Sequence, residues 1–169
     1  FENSEISFNK SKLLTLLNKT KISISSDDTR HYLNGIYLHT TESQNRTYLT
    51  GVATDSHRLS SSSIEIESNK TFHSLILPKK TVFQLCNLLA DTNEKVLIKT
   101  SETKIQFRIG KTKLVSKVID GKFPDYRKVV PVGNDKVLTV GAFDFVQAIE
   151  RVITVSIDRK EGVKLVLGK

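Results

Sequence analysis

The run Asp55-Ser56-His57 contains the three residue types of a serine hydrolase site. In such a site the imidazole takes the proton of the hydroxyl nucleophile, and the carboxylate orients the imidazole. Successive side chains of an extended segment point to opposite faces, so three consecutive residues cannot stack in that order. The sequence also lacks the Gly-x-Ser-x-Gly turn of esterases. We therefore expect no catalytic triad, and we expect Asp55 to hydrogen-bond the local backbone at a strand turn.

The remaining chemically active residues lack the spacing of metal or cofactor sites. His31, His39 and His73 have no cysteine partners and no His-x-x-x-His spacing. The pair Asp27-Asp28 is not followed by carboxylates at calcium-loop spacing. Cys86 is the single cysteine, so it cannot form an internal disulfide, and we expect it to be a small buried apolar residue. With no glycine-rich phosphate loop either, the sequence predicts no metal and no cofactor.

The net charge of the chain is +8, from 26 Lys and Arg against 18 Asp and Glu. A basic balance is compatible with binding nucleic acid through its phosphates, and equally with a lysine-rich solvated surface. No apolar run approaches the roughly 20 residues of a membrane span, and the first residues lack the pattern of a signal peptide. With its single cysteine, the chain is expected in the cytoplasm. It contains no methionine, so we expect a piece of a longer product.

Hydrophobic periodicity predicts the same order of elements twice. A strand at residues 5–8 precedes a helix capped by Asn9 or Ser11, and strands follow at 33–39, 47–53 and 57–66 with a first turn at 42–45. A strand at 74–77 precedes a second helix, with Pro78 in its first turn, and strands follow at 95–99, 104–109 and 113–118. The buried side of the second helix is predicted to be Val82, Leu85, Cys86 and Leu89. This order is typical of an α+β domain with two helices on one side of antiparallel sheet.

The end of the chain repeats its beginning. After a connector rich in proline and glycine, the pattern predicts a strand at 136–140, a helix at 143–152 and a strand at 163–167. An offset of 132 residues (140 − 8) places Leu13 on Phe145 and Leu17 on Ile149. The helix is predicted to carry Phe145, Ala148, Ile149 and Val152 on one side. We expect tandem copies of one domain, the second incomplete and weakly stable on its own.

Three segments carry a resemblance to a known family: Thr-Arg-His-Tyr-Leu-Asn-Gly at 29–35, Val-Ala-Thr-Asp-Ser-His-Arg-Leu at 52–59 and Phe-Pro-Asp-Tyr-Arg-Lys-Val at 123–129. Together they resemble the middle domain of the bacterial sliding clamp, the β subunit of DNA polymerase III. The resemblance implies a DNA-clamp fold, with antiparallel sheets and two helices per domain on the inner face. Residues 1–125 would be the complete middle domain, 126–135 the interdomain connector and 136–169 the incomplete N-terminal part of the last domain.

The resemblance also implies a function without catalysis. Such clamps are homodimeric rings that encircle duplex DNA and hold the replicative polymerase on it, while the polymerase activity resides in the partner. The clamp loader and other DNA-processing enzymes bind the same pocket through short linear peptides. The matching pocket positions here are Leu33, Thr54, His57, Arg58, Leu59, Pro124, Lys128 and Val129.

This chain departs from the family pattern at two of these segments. Ser56 stands where glycine is usual, and a glycine would permit a positive φ or close approach. Lys128 stands where arginine is common, so a guanidinium that can donate two parallel hydrogen bonds is replaced by a compact ammonium charge. The side of the pocket that comes from the end of the last domain is absent from this sequence, so weak peptide binding is expected.

Duplex DNA is the other partner that the resemblance implies, contacted through phosphates and without reading bases. The residues expected to face it lie on the predicted helices: Lys10, Lys12, Lys19, Lys80 and Arg151. For any single lysine a solvated helix face is the simpler interpretation.

Other interpretations stay open on the residues alone. Leu33, Leu59 and Val129 have residue types that favour core positions. The whole chain could be a stand-alone basic β-rich module that binds nucleic acid, which strong, salt-sensitive DNA binding by the isolated chain would indicate. A hydrolase using Ser56 and His57 would be indicated if Ser56→Ala abolished turnover of an ester.

Overall fold

The first helix begins where the sequence places a cap. Asn9 has extended backbone angles, and its side-chain oxygen accepts a hydrogen bond from the backbone N–H of Ser11 at 2.9 Å. The helix then buries Leu13, Leu16 and Leu17, which follow the spacing of one helical face, and leaves Lys12 and Lys19 exposed. The periodicity that predicted this helix therefore also determines which side faces the core.

The computed structural model describes residues 1, 5–66, 72–90, 94–155 and 162–166. These divide into two compact units, Phe1–Pro124 and Asp125–Lys169. The elements of the first unit, in chain order, are β1 (Ile6–Phe8), α1 (Lys10–Thr20), two 3₁₀ turns (Lys21–Ser23 and Asp28–Leu33), β2 (Gly35–Ser43), β3 (Arg46–Thr54), β4 (Leu59–Ile66), β5 (Leu75–Pro78), α2 (Lys79–Ala90), β6 (Val96–Thr100), β7 (Lys104–Ile109) and β8 (Thr112–Lys117).

Two four-stranded antiparallel sheets form the first unit, with strand orders β4-β3-β2-β5 and β1-β6-β7-β8. Between β2 and β3 the chain turns through Gln44 and Asn45, whose φ angles are 49° and 60°. Two successive positive φ angles match the right-handed twist of a two-residue hairpin. A single bridge, in which the backbone N–H of Ile119 donates to the carbonyl of Ile76 at 2.9 Å, joins the end of β8 to β5.

Both helices pack on one face of the β4-β3-β2-β5 sheet and against each other. Gly51 of β3 lies directly beneath α1, because a Cβ atom there would be 2.7 Å from Cδ2 of Leu16. Leu16, Ile36 and Leu49 are fully buried at this contact. The close approach of helix and sheet is therefore possible only because position 51 has no side chain.

Most predictions for the first unit are confirmed. The order of one strand, one helix and three strands occurs twice, and Val82, Leu85, Cys86 and Leu89 are all buried. The placement of Pro78 in a helix was wrong: Pro78 is the last residue of β5, paired with Gly35, and α2 begins at Lys79. The predicted strand at 33–39 begins only at Gly35, since Leu33 ends a 3₁₀ turn.

The described residues of the second unit contain a 3₁₀ turn, Tyr126–Lys128, and one helix, α3 (Ala142–Ile153). The helix was predicted correctly, but its predicted apolar side is only partly covered: Phe145 and Ile149 are half-buried, whereas Ala148 and Val152 are exposed. The strands predicted at 136–140 and 163–166 are wrong, and Leu167 lies outside the described residues. An isolated strand leaves its backbone groups unpaired, and no described strand pairs with either segment.

Candidate functional site

The loop between β3 and β4 is organised by the carboxylate of Asp55. Its Oδ1 accepts hydrogen bonds from the backbone N–H groups of His57 and Arg58, both at 3.0 Å, and its Oδ2 accepts one from Arg58 Nε at 3.1 Å. The prediction that Asp55 bonds the local backbone is confirmed. Burial alone would raise the pKa of Asp55, but the hydrogen bonds from Arg58 and His57 outweigh it and lower the pKa below its ordinary value.

The hydroxyl of Thr54 closes the same loop from the other side. It donates to the carbonyl of Arg58 at 2.7 Å and accepts from the backbone N–H of Ser56 at 3.1 Å. Thr54 was singled out as a pocket position, and the structure shows its hydroxyl engaged within the loop. The Thr54 hydroxyl therefore stabilises the conformation of residues 54–58, and it is not a free hydrogen-bonding group for a ligand.

Ser56 adopts a left-handed backbone conformation with φ of 76°. Serine is unusual there, because its Cβ crowds the backbone in this region. Its hydroxyl accepts a hydrogen bond from Nη1 of Arg30, which precedes β2 and lies 26 residues earlier. Sequence reasoning missed Arg30 as a site residue, although it is part of the first resembling segment at 29–35.

Arg30 is itself held by Asp27. Arg30 Nε donates to Asp27 Oδ2 at 3.0 Å, and Asp27 Oδ1 accepts from the N–H and hydroxyl of Thr29 at 2.9 and 2.6 Å. The hydrogen bonds from Thr29, with that from Arg30, lower the pKa of Asp27 below its ordinary value. Asp27 thus caps the 3₁₀ turn and orients the guanidinium that reaches Ser56.

These contacts are not those of a hydrolase. The carboxylate of Asp55 bonds the backbone N–H of His57, whereas a triad carboxylate would bond the imidazole ring. The Ser56 hydroxyl is bonded to a guanidinium, which is not a base. The geometry therefore agrees with the sequence-based exclusion of a catalytic triad.

The predicted pocket positions of the first unit differ in exposure. His57, Arg58 and Pro124 are exposed and Leu59 is half-buried, whereas Leu33 is only 3% exposed. Thr54, His57, Arg58 and Leu59 lie together at the β3–β4 connection. Leu33 is a core residue in this structure, as its residue type alone favoured, and its carbonyl accepts from the backbone N–H of Ser25 at 3.1 Å.

The approach to Pro124 is fixed by aromatic packing. The ring of Phe123 stacks on Tyr37 of β2, with centroids 5.0 Å apart and planes 7° from parallel, and is almost completely buried. The ring of Tyr37 also stacks on His39 at 4.7 Å. Pro124 therefore follows an anchored residue on the face of the sheet opposite to the helices.

The remaining predicted pocket positions, Lys128 and Val129, belong to the second unit. Lys128 Nζ pairs with Asp125 at 3.6 Å, and the N–H of Val129 donates to the carbonyl of Tyr126 at 3.1 Å, at the end of the 3₁₀ turn. Val129 is 70% exposed.

The basic residues predicted to face DNA lie on the surface of the helices. Lys12 and Lys19 of α1 and Lys80 of α2 are exposed, and Lys10 is half-buried at the start of α1. In the second unit, Arg151 of α3 is exposed, and its Nη2 donates to Gln147 Oε1 at 3.3 Å.

Two further lysines of the same basic segments, Lys21 and Lys79, also lie at the helical surface. Lys79 Nζ donates to the hydroxyl of Ser26 at 2.7 Å, and Lys21 Nζ lies 5.4 Å from the ring centre of Phe83.

Within the described ranges, no group of three or more His, Cys, Asp or Glu residues could hold a metal ion. In the same part of the chain, none of the helices has both the length and the apolar character needed to cross a membrane.

Solved structures define the class of fold. A β sliding clamp from C. crescentus superposes with a TM-score of 0.89 and 38% identity, over 93% of this chain and 42% of that one. A sliding clamp from Bartonella birtlesii, bound to griselimycin, superposes with a TM-score of 0.87 and 42% identity over the same shares. The predicted α+β DNA-clamp fold is confirmed.

The family follows from the sequence comparisons. The family model described as DNA polymerase III beta subunit, central domain, matches residues 7–125, and the chain belongs to this family. The curated β sliding clamp of Caulobacter vibrioides (strain NA1000 / CB15N) is 39% identical over 163 residues, which is 96% of this chain and 44% of that protein. That of Escherichia coli (strain K12) is 33% identical over 168 residues, which is 98% of this chain and 45% of that protein. The chain thus spans less than half the length of these relatives.

Proposed function

We propose that this chain is part of a sliding clamp, a DNA replication processivity factor that encircles duplex DNA and tethers the replicative polymerase through a peptide-binding pocket. The observation that carries the proposal is the match of residues 7–125 to the central domain of the DNA polymerase III beta subunit. The clamp loader and other DNA-processing enzymes are proposed to use the same pocket. The function requires no catalysis by this chain, since polymerase activity resides in the partner.

The proposed domain boundaries are based on the similarity between α3 of the second unit and α1 of the first. Residues 1–125 are proposed to be the middle domain, 126–135 the connector and 136–169 the N-terminal part of the last domain. Support comes from α3, which repeats the apolar spacing of α1. The full-length protein is proposed to form a homodimeric ring in the cytoplasm.

The proposed peptide-binding pocket is formed by Leu33, Thr54, His57, Arg58, Leu59, Pro124, Lys128 and Val129. Arg58 is the principal polar contact in this proposal: its side chain is 63% exposed, and among the described residues it is engaged through Nε, by Asp55. The terminal nitrogens can therefore donate to peptide carbonyls or to an acidic side chain. Leu59, Pro124 and Val129 would supply apolar contacts, whereas Leu33 is buried and would contribute through packing.

The proposed DNA contacts are Lys10, Lys12, Lys19, Lys80 and Arg151. The described part of α1 and α2 carries no acidic residue, so nothing on these helices repels phosphate. Long, exposed lysine side chains contact phosphates without fixed geometry, which suits a protein that must slide at every sequence.

Griselimycin provides a direct test of the pocket, because a related clamp binds it. The ¹⁵N-labelled chain is titrated with griselimycin and followed by two-dimensional NMR, which also detects weak binding. We expect the largest shift changes at the amides of His57, Arg58 and Leu59, and a loss of affinity of about tenfold in Arg58→Ala. Arg46→Ala, which removes only a surface pair with Glu65 on the same sheet, is the matched control. Absence of shifts at the loop, with or without shifts elsewhere, would refute the proposed pocket.

The alternative of a stand-alone basic nucleic-acid-binding module is not favoured, because the comparisons match sliding clamps over most of the chain. The two functions differ in DNA affinity. An open piece of a ring should hold duplex DNA weakly at physiological salt, whereas a dedicated binding module should hold it tightly and with a steep salt dependence.

A further inference from the structure

Ser56 combines two features that need a common explanation. Its backbone is left-handed, with φ of 76°, a conformation that side chains with a Cβ disfavour. Its exposed hydroxyl is nevertheless bonded to Arg30, from a different part of the chain. Strained residues persist where the surrounding contacts over-determine them, and such contacts cluster at binding sites.

The contacts around Ser56 form a continuous series. The hydroxyl of Thr54 accepts the N–H of Ser56, Arg30 Nη1 donates to the Ser56 hydroxyl, and Arg30 Nε is held by Asp27. Asp27 in turn is fixed by Thr29 at the start of the 3₁₀ turn. The position of the Ser56 hydroxyl is therefore fixed by Arg30, which lies outside the β3–β4 loop. The hydrogen bonds of Asp55 and Thr54, by contrast, connect residues within that loop.

The two arginines of the site are in different situations. Arg30 uses both Nε and Nη1 for contacts within the chain, and its side chain is 38% exposed. Within the part of the chain that the structure describes, Arg58 uses Nε alone, and its side chain is 63% exposed. Arg58 is therefore the more available of the two to a ligand, whereas two nitrogens of Arg30 are engaged by Asp27 and Ser56.

We propose that the Arg30–Ser56 contact is a positioning device for the peptide site, which holds residues 55–58 so that His57 and Arg58 face the ligand. The proposal rests on the proposed function of this site. In this proposal Arg30 is a positioning residue that acts through Ser56. A glycine at position 56 would adopt the same φ without strain, but it would leave Arg30 with no hydroxyl to hold, and the loop would become mobile.

The test is a double-mutant cycle with Arg30→Ala, Ser56→Ala and the double variant in the 169-residue chain. Two quantities are measured: the ¹⁵N order parameter of the His57 amide without ligand, and the dissociation constant for griselimycin by NMR titration. We expect each single variant to lower the order parameter from about 0.85 to below about 0.6. We expect each to weaken binding by about threefold to tenfold, and the double variant to be no worse than Arg30→Ala.

Additional variants separate positioning from folding and from direct contact. Ser56→Gly removes the hydroxyl and the strain together, so we expect a mobile loop with no loss of melting temperature. Arg30→Lys keeps a donor, and we expect it to restore part of the order parameter. Arg46→Ala, the surface-pair control, should leave both quantities unchanged.

The proposal is overturned if the effects of Arg30→Ala and Ser56→Ala multiply, because the two residues would then act independently. It is also overturned if the order parameter stays near 0.85 in Arg30→Ala, whatever the affinity, since Arg30 would then not position the loop. If the unaltered chain fails to bind griselimycin but the order parameters change as expected, the proposed pocket fails while the structural effect of the contact is supported.

Discussion

The carboxylate of Asp55 accepts three hydrogen bonds, two from the backbone N–H groups of His57 and Arg58 and one from the Arg58 side chain. Replacing Asp55 by alanine leaves both N–H groups without this partner. The arrangement is comparable to an N-cap, where loss of the capping side chain costs roughly 0.5–2 kcal/mol. The loop is partly exposed and water replaces some of the bonds, so we expect a loss of about 1–1.5 kcal/mol of unfolding free energy for Asp55→Ala.

Asp55→Asn separates hydrogen bonding from charge. The asparagine retains an oxygen that can accept the N–H groups of His57 and Arg58, but it loses the charge-assisted bond to the Arg58 side chain. Exposed ion pairs contribute only about 0.2–1 kcal/mol, so Asp55→Asn should cost less than Asp55→Ala. Glu65→Ala, which removes an exposed carboxylate paired with Arg46 at 3.4 Å, is the control and should cost less than about 0.5 kcal/mol.

The assay is thermal unfolding followed by circular dichroism at pH 7. For a chain of this size, a loss of 1 kcal/mol lowers the melting temperature by about 2–4 °C, so Asp55→Ala should melt about 2–6 °C lower than the unaltered protein. The reasoning is refuted if Asp55→Ala melts within 1 °C of the unaltered chain, or if Asp55→Asn is as destabilised as Asp55→Ala.

The carboxylate of Asp55 also predicts the direction in which the stability of the chain changes with pH. The pKa of Asp55 is lower in the folded chain than its ordinary value, so the folded state favours the ionised form. The resulting stability is fully present above the ordinary pKa of about 4 and is lost as the pH falls through the lower, folded pKa. The difference in melting temperature between the unaltered chain and Asp55→Ala should therefore be constant from pH 7 to about pH 5 and should shrink below about pH 4.

Three further predictions follow from particular contacts. Gly51→Ala places a Cβ atom 2.7 Å from Leu16 Cδ2, so urea unfolding should show a loss of about 1–3 kcal/mol. Ser56→Gly relieves a left-handed residue, so its unfolding free energy should stay equal or rise by up to about 1 kcal/mol in the same assay, and a loss would contradict the strain argument. The double variant Lys12→Ala, Lys80→Ala removes two exposed cations from the helices. The slope of log affinity for duplex DNA against log salt concentration should therefore decrease in magnitude by up to about 2, and by the same amount for unrelated DNA sequences. An unchanged slope would show that DNA does not contact these two lysines.

Local patterns in the sequence were sufficient for the elements of the first unit. The stripe from Val82 to Leu89 and the alternation along β7 predicted a helix and a strand correctly, because each pattern matches the period of the structure that buries it. The tail shows the limit of this argument. Residues 136–140 are rich in Val and Leu as a strand would be, yet Val137 is 87% exposed, because a strand forms only where another strand pairs with its backbone.

The sequence by itself determined the family, the order of the elements in the first unit and the sides of α1 and α2 that face the core, since each of these signals depends on residues close together in the chain. It also indicated that Asp55 would bond its own loop. Only the tertiary structure decided the left-handed conformation of Ser56, its contact with Arg30 and the burial of Leu33. Each of these depends on segments that are brought together by the pairing of β2 with β3 and of β3 with β4, and no local pattern records which side chains then meet.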